Sequence, residues 1–270
     1  MVDYLENTVA VNGIDLYYRE YGSGEPLLLI MGLSGNADWW DTRFLQALAE
    51  RFHVVAFDNR GAGRSGKPPG PYTILQMAED AAGLMDHLGW PSAHVLGMSM
   101  GGMIAQELAL QHPERVRKLV LLVTTCGGSE QVLASPEVLK MLSVPEGGVT
   151  LEYVANVTLK LLFPQPFIDA NPEIMEAVKQ AVMRAPIPAR CFFAQYSAIA
   201  NWSDFPRLRD IRQETLIITG SEDALVPPEN SRILVREIPA SRMVEFLGGG
   251  HGLITQFPQK AAQEVIAFLS

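Results

Sequence analysis

The segment HVLGMSMGGMIAQ, from His94 to Gln106, places three glycines and one serine between a short apolar run and a longer one. Glycine is costly inside a strand or a helix because it loses the most conformational freedom on folding. A strand that turns directly into a helix at Ser99 explains the glycines, since so tight a turn leaves no room for side chains. The segment predicts that Gly97 and Gly101 let the two elements touch, and that Gly102 relieves the same crowding.

The rest of the chain alternates short apolar runs with segments of helical periodicity. Asn12-Gly13 separates the first two runs and suits the turn of an antiparallel hairpin. The predicted strands are TVAV (8–11), IDLYYREY (14–21), 26–31, 53–58, 93–98, 118–124, 215–220 and 242–247. The predicted helices include 73–88, 99–111, 227–238 and 258–269. Most runs are almost continuously apolar, so the alternation predicts an α/β fold with a doubly wound, mostly parallel sheet.

One long segment interrupts this alternation. From about Gly127 to about Phe205 the chain is rich in Leu, Met, Phe and Pro and shows several helical stretches but no obvious strand. A segment of this length without strands favours an insertion over the sheet. We expect residues 1–126 and 206–270 to form the α/β core and residues 127–205 to form an inserted helical lid.

Composition excludes several classes of partner. The chain has 270 residues and a formal net charge of −9, so neither nucleic acid nor a membrane is expected to bind. Cys126 and Cys191 are the only cysteines and show no metal-binding spacing, which predicts free thiols and no metal. No cofactor is expected. The acidic stretch MVDYLENTVAV does not resemble a secretory signal. We expect a cytoplasmic monomer or homodimer.

Ser99 lies at the carboxyl end of a predicted strand, where α/β sheets bind ligands. The residues from Gly97 to Gly101 fit the Gly-x-Ser-x-Gly turn that exposes a nucleophilic serine. The alternative is a glycine-rich phosphate-binding loop, but the segment lacks the P-loop lysine and the glycine spacing of a dinucleotide site. A nucleophilic serine is the favoured interpretation.

A serine hydroxyl needs a base to remove its proton and a third group to orient that base. Four histidines lie in or at the ends of predicted strands and helices and are expected to be structural: His53, His87, His94 and His112. His251 instead lies in the loop GGGHGL after the last strand, where the glycines allow the imidazole to turn back over the sheet. His251 is the predicted base.

The orienting acid is sought in TLIITGSEDALVPP, which offers Glu222 and Asp223 after the strand 215–220. Asp223 is favoured because a carboxylate needs some reach beyond its strand to meet the imidazole Nδ1. A solvated acidic turn is the alternative.

Hydrolysis through a tetrahedral intermediate also needs N–H donors for its negatively charged oxygen. One predicted donor is the backbone N–H of Met100, at the N-terminus of the helix after Ser99. The second is that of Leu33 in the loop MGLSG, where Gly32 and Gly35 leave the backbone free to turn this amide inward.

Four motifs carry a resemblance to a known family: DNRGAGRSGKP (58–68), the serine turn (97–101), GSEDALVPP (220–228) and GGGHGL (248–253), in this order along the chain. Together they resemble the α/β-hydrolase superfamily, in particular its lid-bearing esterase and lactonase-like members, over nearly the whole chain. The resemblance implies Ser99, Asp223 and His251 as nucleophile, acid and base, in the chain order that this family uses. It also implies Leu33 and Met100 as the oxyanion donors.

Two further features follow from the resemblance. Asp58, Arg60 and Arg64 match a structural loop of the family rather than catalytic groups. Many relatives carry His-Gly before the oxyanion residue, whereas this chain has Met31-Gly32 and therefore lacks the hydrogen bond of that histidine.

The features together predict a serine hydrolase that cleaves carboxylic esters or lactones of small to medium apolar substrates through an acyl-enzyme. The small-molecule ester is expected to contact Trp39, Trp40, Phe163 and Phe192. Two alternatives stay open. One is a carbon–carbon bond hydrolase of vinylogous diketones, with Arg184 and Arg190 as possible donors to a substrate carboxylate. The other is a hydrolase-like ligand receptor with slow turnover.

Overall fold

A computed structural model describes residues 3–143 and 149–270, and the strands of this part of the chain form one sheet. They are β1 (Leu5–Val11), β2 (Ile14–Tyr21), β3 (Glu25–Ile30), β4 (Phe52–Phe57), β5 (Ala93–Met98), β6 (Val116–Leu122), β7 (Glu214–Gly220) and β8 (Ser241–Phe246). Their order is β1-β2-β4-β3-β5-β6-β7-β8. β2 is antiparallel to β1 and β4, and the other neighbours are parallel. The prediction of a mostly parallel α/β sheet is confirmed.

The N-terminal hairpin has the turn that its sequence predicts. Asn12 and Gly13 have φ values of 46° and 80°, as a two-residue type I′ turn requires. Val11 and Ile14 pair directly across this turn. The right-handed twist of the two strands is compatible with this turn type, which explains the choice of Asn-Gly.

The helices are α1 (Thr42–Ala49), α2 (Ile74–His87), α3 (Met100–Gln111), α4 (Pro136–Met141), α5 (Leu151–Leu162), α6 (Gln165–Ala170), α7 (Pro172–Arg184), α8 (Ala189–Ala200), α9 (Glu229–Glu237), α10 (Leu253–Gln256) and α11 (Pro258–Leu269). Sequence analysis did not predict α1, which has only eight residues. The Asp41 side chain caps this helix by accepting the N–H groups of Arg43 and Phe44. None of the described helices has the length and apolar character needed to cross a membrane.

Helices cover both faces of the sheet. Leu28 and Ile30 of β3 pack with residues of α2 and α3 on one face. Leu27 and Leu29 of the same strand pack with residues of α1 and α11 on the other. All four side chains are fully buried. Both faces of the sheet are thus covered by helices, and the loops lie at the carboxyl ends of its strands.

The five helices α4 to α8 lie between β6 and β7, within the range predicted as a lid. The two ends of this inserted segment, residues 127–205, meet beside the sheet. Gly127 forms an isolated antiparallel bridge with Ser203, and the Asp204 N–H donates to the Cys126 carbonyl oxygen at 2.8 Å. That residues 127–205 act as a lid stays a prediction.

The glycines around Ser99 lie at backbone contacts. A Cβ on Gly97 would overlap the carbonyl oxygen of Gly101, and one on Gly101 would overlap that of Ile30 in β3. A Cβ on Gly102 would lie 2.6 Å from the side chain of Thr124. The glycines let α3 start directly against the sheet, as the sequence predicts.

Gly101→Ala should therefore lower the free energy of unfolding by at least about 2 kcal/mol, because its methyl group would force backbone to move. Gly83→Ala is the matched control: Gly83 is also helical, but the three atoms nearest to its Cβ would belong to the side chains of Val11 and Asn12, the closest being Val11 Cγ1 at 2.6 Å. We expect that change to stay within about 1 kcal/mol of wild type, since alanine favours the helix. Urea titration followed by circular dichroism measures both, and equal effects would contradict this packing account.

Candidate active site

Ser99 is the single residue between β5 and α3, with φ 57° and ψ −122°. A positive φ is rare for a residue other than glycine and indicates local strain. The Ser99 N–H donates to the Leu122 carbonyl oxygen at 2.9 Å, and its own carbonyl oxygen accepts the Thr124 hydroxyl at 2.7 Å. Ser99 itself is half-buried. The turn therefore holds the serine at the carboxyl edge of the sheet.

Asp223 and His251 form a buried pair in the loops after β7 and β8. The Oδ2 atom of Asp223 lies 2.8 Å from Nδ1 of His251, and each residue is only 3% exposed. The other carboxylate oxygen, Oδ1, accepts the backbone N–H groups of Leu225 and Val226 at 3.0 and 2.8 Å. An acceptor-only carboxylate facing Nδ1 assigns the proton of the neutral ring to that nitrogen. Nε2 then carries the free lone pair.

The remaining candidate acids and bases lie elsewhere. Glu222 is exposed and, within the part of the chain that the structure describes, forms no hydrogen bond with His251. Three histidines pair with glutamates: His53 with Glu20, His94 with Glu25, and His112 with Glu79. His87 packs edge-on against Tyr18. The structure thus brings Asp223, and not Glu222, to His251.

Ser99 and His251 reach the same edge of the sheet. Their chain neighbours, Met98 and Gly252, line one cavity. Among the described residues, no hydrogen bond joins the Ser99 hydroxyl to the His251 ring. Hydrogen bonds of this kind often tighten only when a substrate is in place.

Two backbone N–H groups next to Ser99 are available as donors. Met100 is the first residue of α3, so its N–H has no partner within the helix. In residues 3–143 and 149–270, the Leu33 N–H donates to no protein acceptor. The loop of Leu33 lies against the serine, because a Cβ on Gly32 would be 2.9 Å from that of Ser99. The two predicted oxyanion donors therefore flank the serine turn.

A cavity of about 350 Å³ opens between the inserted segment and the core. Three of the residues predicted to contact substrate line it: Trp39, Trp40 and Phe163. The fourth, Phe192, does not line this cavity and is stacked on Tyr196 in α8. A second cavity of about 340 Å³ is lined by His251 and Lys160, and Phe163 borders both cavities.

Comparisons with known proteins identify the family of this fold. The alpha/beta hydrolase fold model matches residues 25–144, and the TAP-like protein model matches residues 183–270. RutD of Azorhizobium caulinodans, which is named as a candidate carbamate hydrolase, is 34% identical to this chain over 255 residues. The alignment covers 94% of each chain. The chain belongs to the α/β-hydrolase family.

Solved structures of family members share the whole fold. The enol-lactonase from Burkholderia xenovorans LB400 aligns with a TM-score of 0.84 at 27% identity, over 97% of this chain and 99% of the other. An esterase from Thermogutta terrifontis aligns with a TM-score of 0.80 at 28% identity, over 99% and 98%. The chain is thus a hydrolase of the α/β family.

The loop at 58–68 of this hydrolase is built around two buried carboxylates. Asp58 accepts the backbone N–H groups of Ala37 and Arg64 at 2.6 and 2.7 Å. Burial raises the pKa of Asp58, although these N–H groups oppose the shift. Arg60 donates two hydrogen bonds of 2.6 Å to Asp80. These contacts join the loop to its neighbours, as expected of a structural element.

Sequence analysis missed Thr124, which supports the serine turn from β6. Its hydroxyl binds the Ser99 carbonyl oxygen, and its side chain occupies the space beside Gly102. The preceding residue, Val123, has a φ of 45° that a β-branched side chain rarely adopts. A threonine directly after an apolar strand is a weak signal, because only the neighbouring strand shows what its hydroxyl meets.

Asp223→Asn should reverse the tautomer of neutral His251. The oxygen of the new amide is needed by the N–H groups of Leu225 and Val226, so its NH2 group would face His251 Nδ1 and make that nitrogen an acceptor. We expect ¹⁵N-resolved NMR to show the Nδ1–H form in the wild type and the Nε2–H form in the variant.

Glu222→Gln is the control for this experiment, since Glu222 is exposed. It should leave the tautomer unchanged. An Nδ1–H ring in the Asp223→Asn variant would contradict the assignment.

Proposed function

We propose that this hydrolase cleaves carboxylic esters or lactones of small to medium apolar substrates through an acyl-enzyme on Ser99. The observation that carries the proposal is the buried pair of His251 and Asp223, which leaves Nε2 as a base at the sheet edge where Ser99 lies. The strained backbone of Ser99 supports its role as the nucleophile.

The proposed reaction has two halves. His251 Nε2 takes the proton of the Ser99 hydroxyl while the hydroxyl oxygen attacks the carbonyl carbon of the substrate. The tetrahedral intermediate collapses when His251 returns the proton to the leaving oxygen, so the C–O bond breaks and the acyl group stays on Ser99. A water molecule then gives one proton to His251 and attacks the acyl carbon of this ester. His251 returns that proton to the Ser99 oxygen as its bond to the acyl carbon breaks, which releases the acid and restores the serine hydroxyl. Asp223 stabilises the imidazolium ion formed in each half.

The N–H groups of Leu33 and Met100 are proposed to bind the negatively charged oxygen of both tetrahedral intermediates. Within residues 3–143 and 149–270, neither group donates to a protein acceptor that it would have to give up. Donors that are already in position act without reorganisation, and removal of one such donor typically slows an enzyme by about 10²- to 10³-fold.

The larger cavity favours an apolar substrate. Much of its lining comes from Met98, Phe163 and aliphatic residues of α7. Among its charged lining residues, Asp38 is paired with Arg19 at 2.9 Å and with Arg64 at 2.8 Å. Burial opposes the charge of Asp38, but the two arginines outweigh it and lower the pKa of this carboxyl. Asp41 is paired with Arg43 at 2.8 Å. These paired charges offer little to a charged substrate, and the remaining charged lining residue, Glu173, is exposed to solvent.

The names of the relatives support acyl transfer as the reaction class. A lactonase and an esterase act on bonds in which an acyl carbon carries an oxygen leaving group. A carbamate has the same kind of carbonyl carbon, so carbamates belong among the substrates to be tested.

Neither arginine considered for carbon–carbon bond hydrolysis lies in the cavities. Arg184 is exposed, 3.4 Å from Asp38, and Arg190 donates to the carbonyl oxygen of Lys67. Neither lines the cavities beside Met98 and His251. No contact of these arginines favours a diketone carboxylate.

The function is tested by steady-state turnover of p-nitrophenyl esters, lactones and aryl carbamates, with a vinylogous diketone in parallel. We expect many turnovers per chain on at least one ester or lactone series, and a loss of at least about 10³-fold in kcat for Ser99→Ala. Single-turnover behaviour with every substrate would support a receptor. Diketone cleavage without ester cleavage would overturn the proposal.

If the acyl chain of the substrate lies in the larger cavity, Ala181→Phe should hinder it, because this change adds a ring to the wall formed by α7. We expect kcat/KM for p-nitrophenyl octanoate to fall by at least about 10-fold, because the longer chain loses its space. The value for the acetate should change much less.

Gln180→Phe is the matched control, since Gln180 is exposed on the same helix and lines neither cavity. Equal losses for octanoate and acetate, or equal effects of the two variants, would contradict the placement of the substrate.

A further inference from the structure

Gln195 joins the inserted segment to two loops of the core. It lies on α8 and is fully buried. Its Oε1 atom accepts the backbone N–H of Ser34 at 3.0 Å, and its Nε2 atom donates to the carbonyl oxygen of Arg60 at 2.9 Å. This is the orientation of the amide that satisfies both partners. A fully buried amide with two backbone partners is held firmly in place.

The Ser34 end of this bridge lies in a strained turn. The Gly35 N–H donates to the Gly32 carbonyl oxygen at 3.2 Å, so Leu33 and Ser34 are the two central residues of a tight turn. Ser34 has a φ of 65°. Turns with a positive φ at this position normally use glycine or asparagine, because other side chains are strained there. The hydrogen bond that the Ser34 N–H donates to Gln195 therefore opposes relaxation of Ser34 to a negative φ.

The two sides of the loop are attached to the core in other ways. Asn59 donates to the Met31 carbonyl oxygen at 2.8 Å, and Asp58 accepts the Ala37 N–H at 2.6 Å. The Met31 side chain is buried in the apolar core and gives the loop no hydrogen bond of its own. At the apex of the turn, next to Leu33, the attachment comes from Gln195.

We propose that Gln195 is a positioning residue that holds Ser34 in its left-handed conformation and thereby fixes the direction of the Leu33 N–H beside Ser99. The inference rests on the proposed function, in which this N–H binds the oxyanion. A donor helps catalysis only when it points to where the negative charge forms. Loss of Gln195 should therefore lower kcat more than it raises KM.

The first test is Gln195→Met, with Gln213→Met as the matched control. Gln213 is also a buried amide: it accepts the Arg212 N–H at 3.2 Å and donates to the Pro113 carbonyl oxygen at 2.9 Å. We expect Gln195→Met to lower kcat on the best ester by at least about 10-fold with KM within about 3-fold. Gln213→Met should lower stability but not kcat. If Gln195→Met does not fold, Gln195→Asn withdraws the amide by one methylene and should give the same pattern.

The second test asks whether the effect passes through Ser34. Glycine adopts a positive φ without strain. In a Ser34→Gly background, the loss of kcat caused by Gln195→Met should be at least about 3-fold smaller than in the wild type. Equal losses in both backgrounds, or similar kcat values for Gln195→Met and Gln213→Met, would overturn the inference.

Hydrogen exchange separates failure of this inference from failure of the proposed function. The peptide that contains Ser34 should exchange faster in Gln195→Met than in wild type or Gln213→Met, whether or not the enzyme turns over esters. Unchanged exchange would overturn the inference. Faster exchange in a protein that cleaves no ester or lactone would reject only the proposed function.

Discussion

The structure depends on the contact between the start of α3 and the strands beside it. Because Gly97 and Gly101 carry no side chains, the helix begins one residue after β5 ends, and this residue, Ser99, is forced to a positive φ. The same contact frees the Met100 N–H at the helix N-terminus and brings Gly32 against the serine. The proposed nucleophile and both candidate donors are thus arranged by backbone packing around one turn.

The inserted segment contributes to this arrangement from the opposite side. The Gly252 N–H donates to the Leu162 carbonyl oxygen at 2.7 Å, directly beside His251. A Cβ on Gly250 would lie 2.7 Å from this same oxygen, and one on Gly252 would overlap the ring of Phe163. The glycines around His251 therefore make room for the inserted segment as well as for the loop itself. Through Gln195, the segment also reaches the loop of Leu33.

Features that depend on local chemistry were predictable from the sequence. The Asn12-Gly13 turn needs two residues with positive φ. Glycine is unfavourable inside a strand or a helix, so the glycines around Ser99 indicate a close backbone contact. The pairing of Asp223 with His251 followed from the reach of a loop after a parallel strand. The sheet could be predicted from the sequence because its strands are buried on both faces and are therefore almost continuously apolar.

Features that depend on contacts between distant segments were not predictable. Gln195 and Ser34 are separated by 161 positions, and a glutamine inside a helical pattern gives no sign of its partner. Phe192 has the size and apolar character of a pocket residue, but its ring is stacked on Tyr196. Helical periodicity indicates which side of a helix is apolar, but not what packs against that side.

In the proposed mechanism, Ser99 carries the acyl group between the two halves of the reaction. Stopped-flow mixing with a p-nitrophenyl ester of a hindered acid, followed by peptide mass spectrometry, tests it most directly. We expect a burst of one nitrophenolate per chain and one acyl group on the peptide that contains Ser99, both absent in Ser99→Ala. A burst that persists in Ser99→Ala, or an acyl group on Cys126 or Cys191, would contradict it.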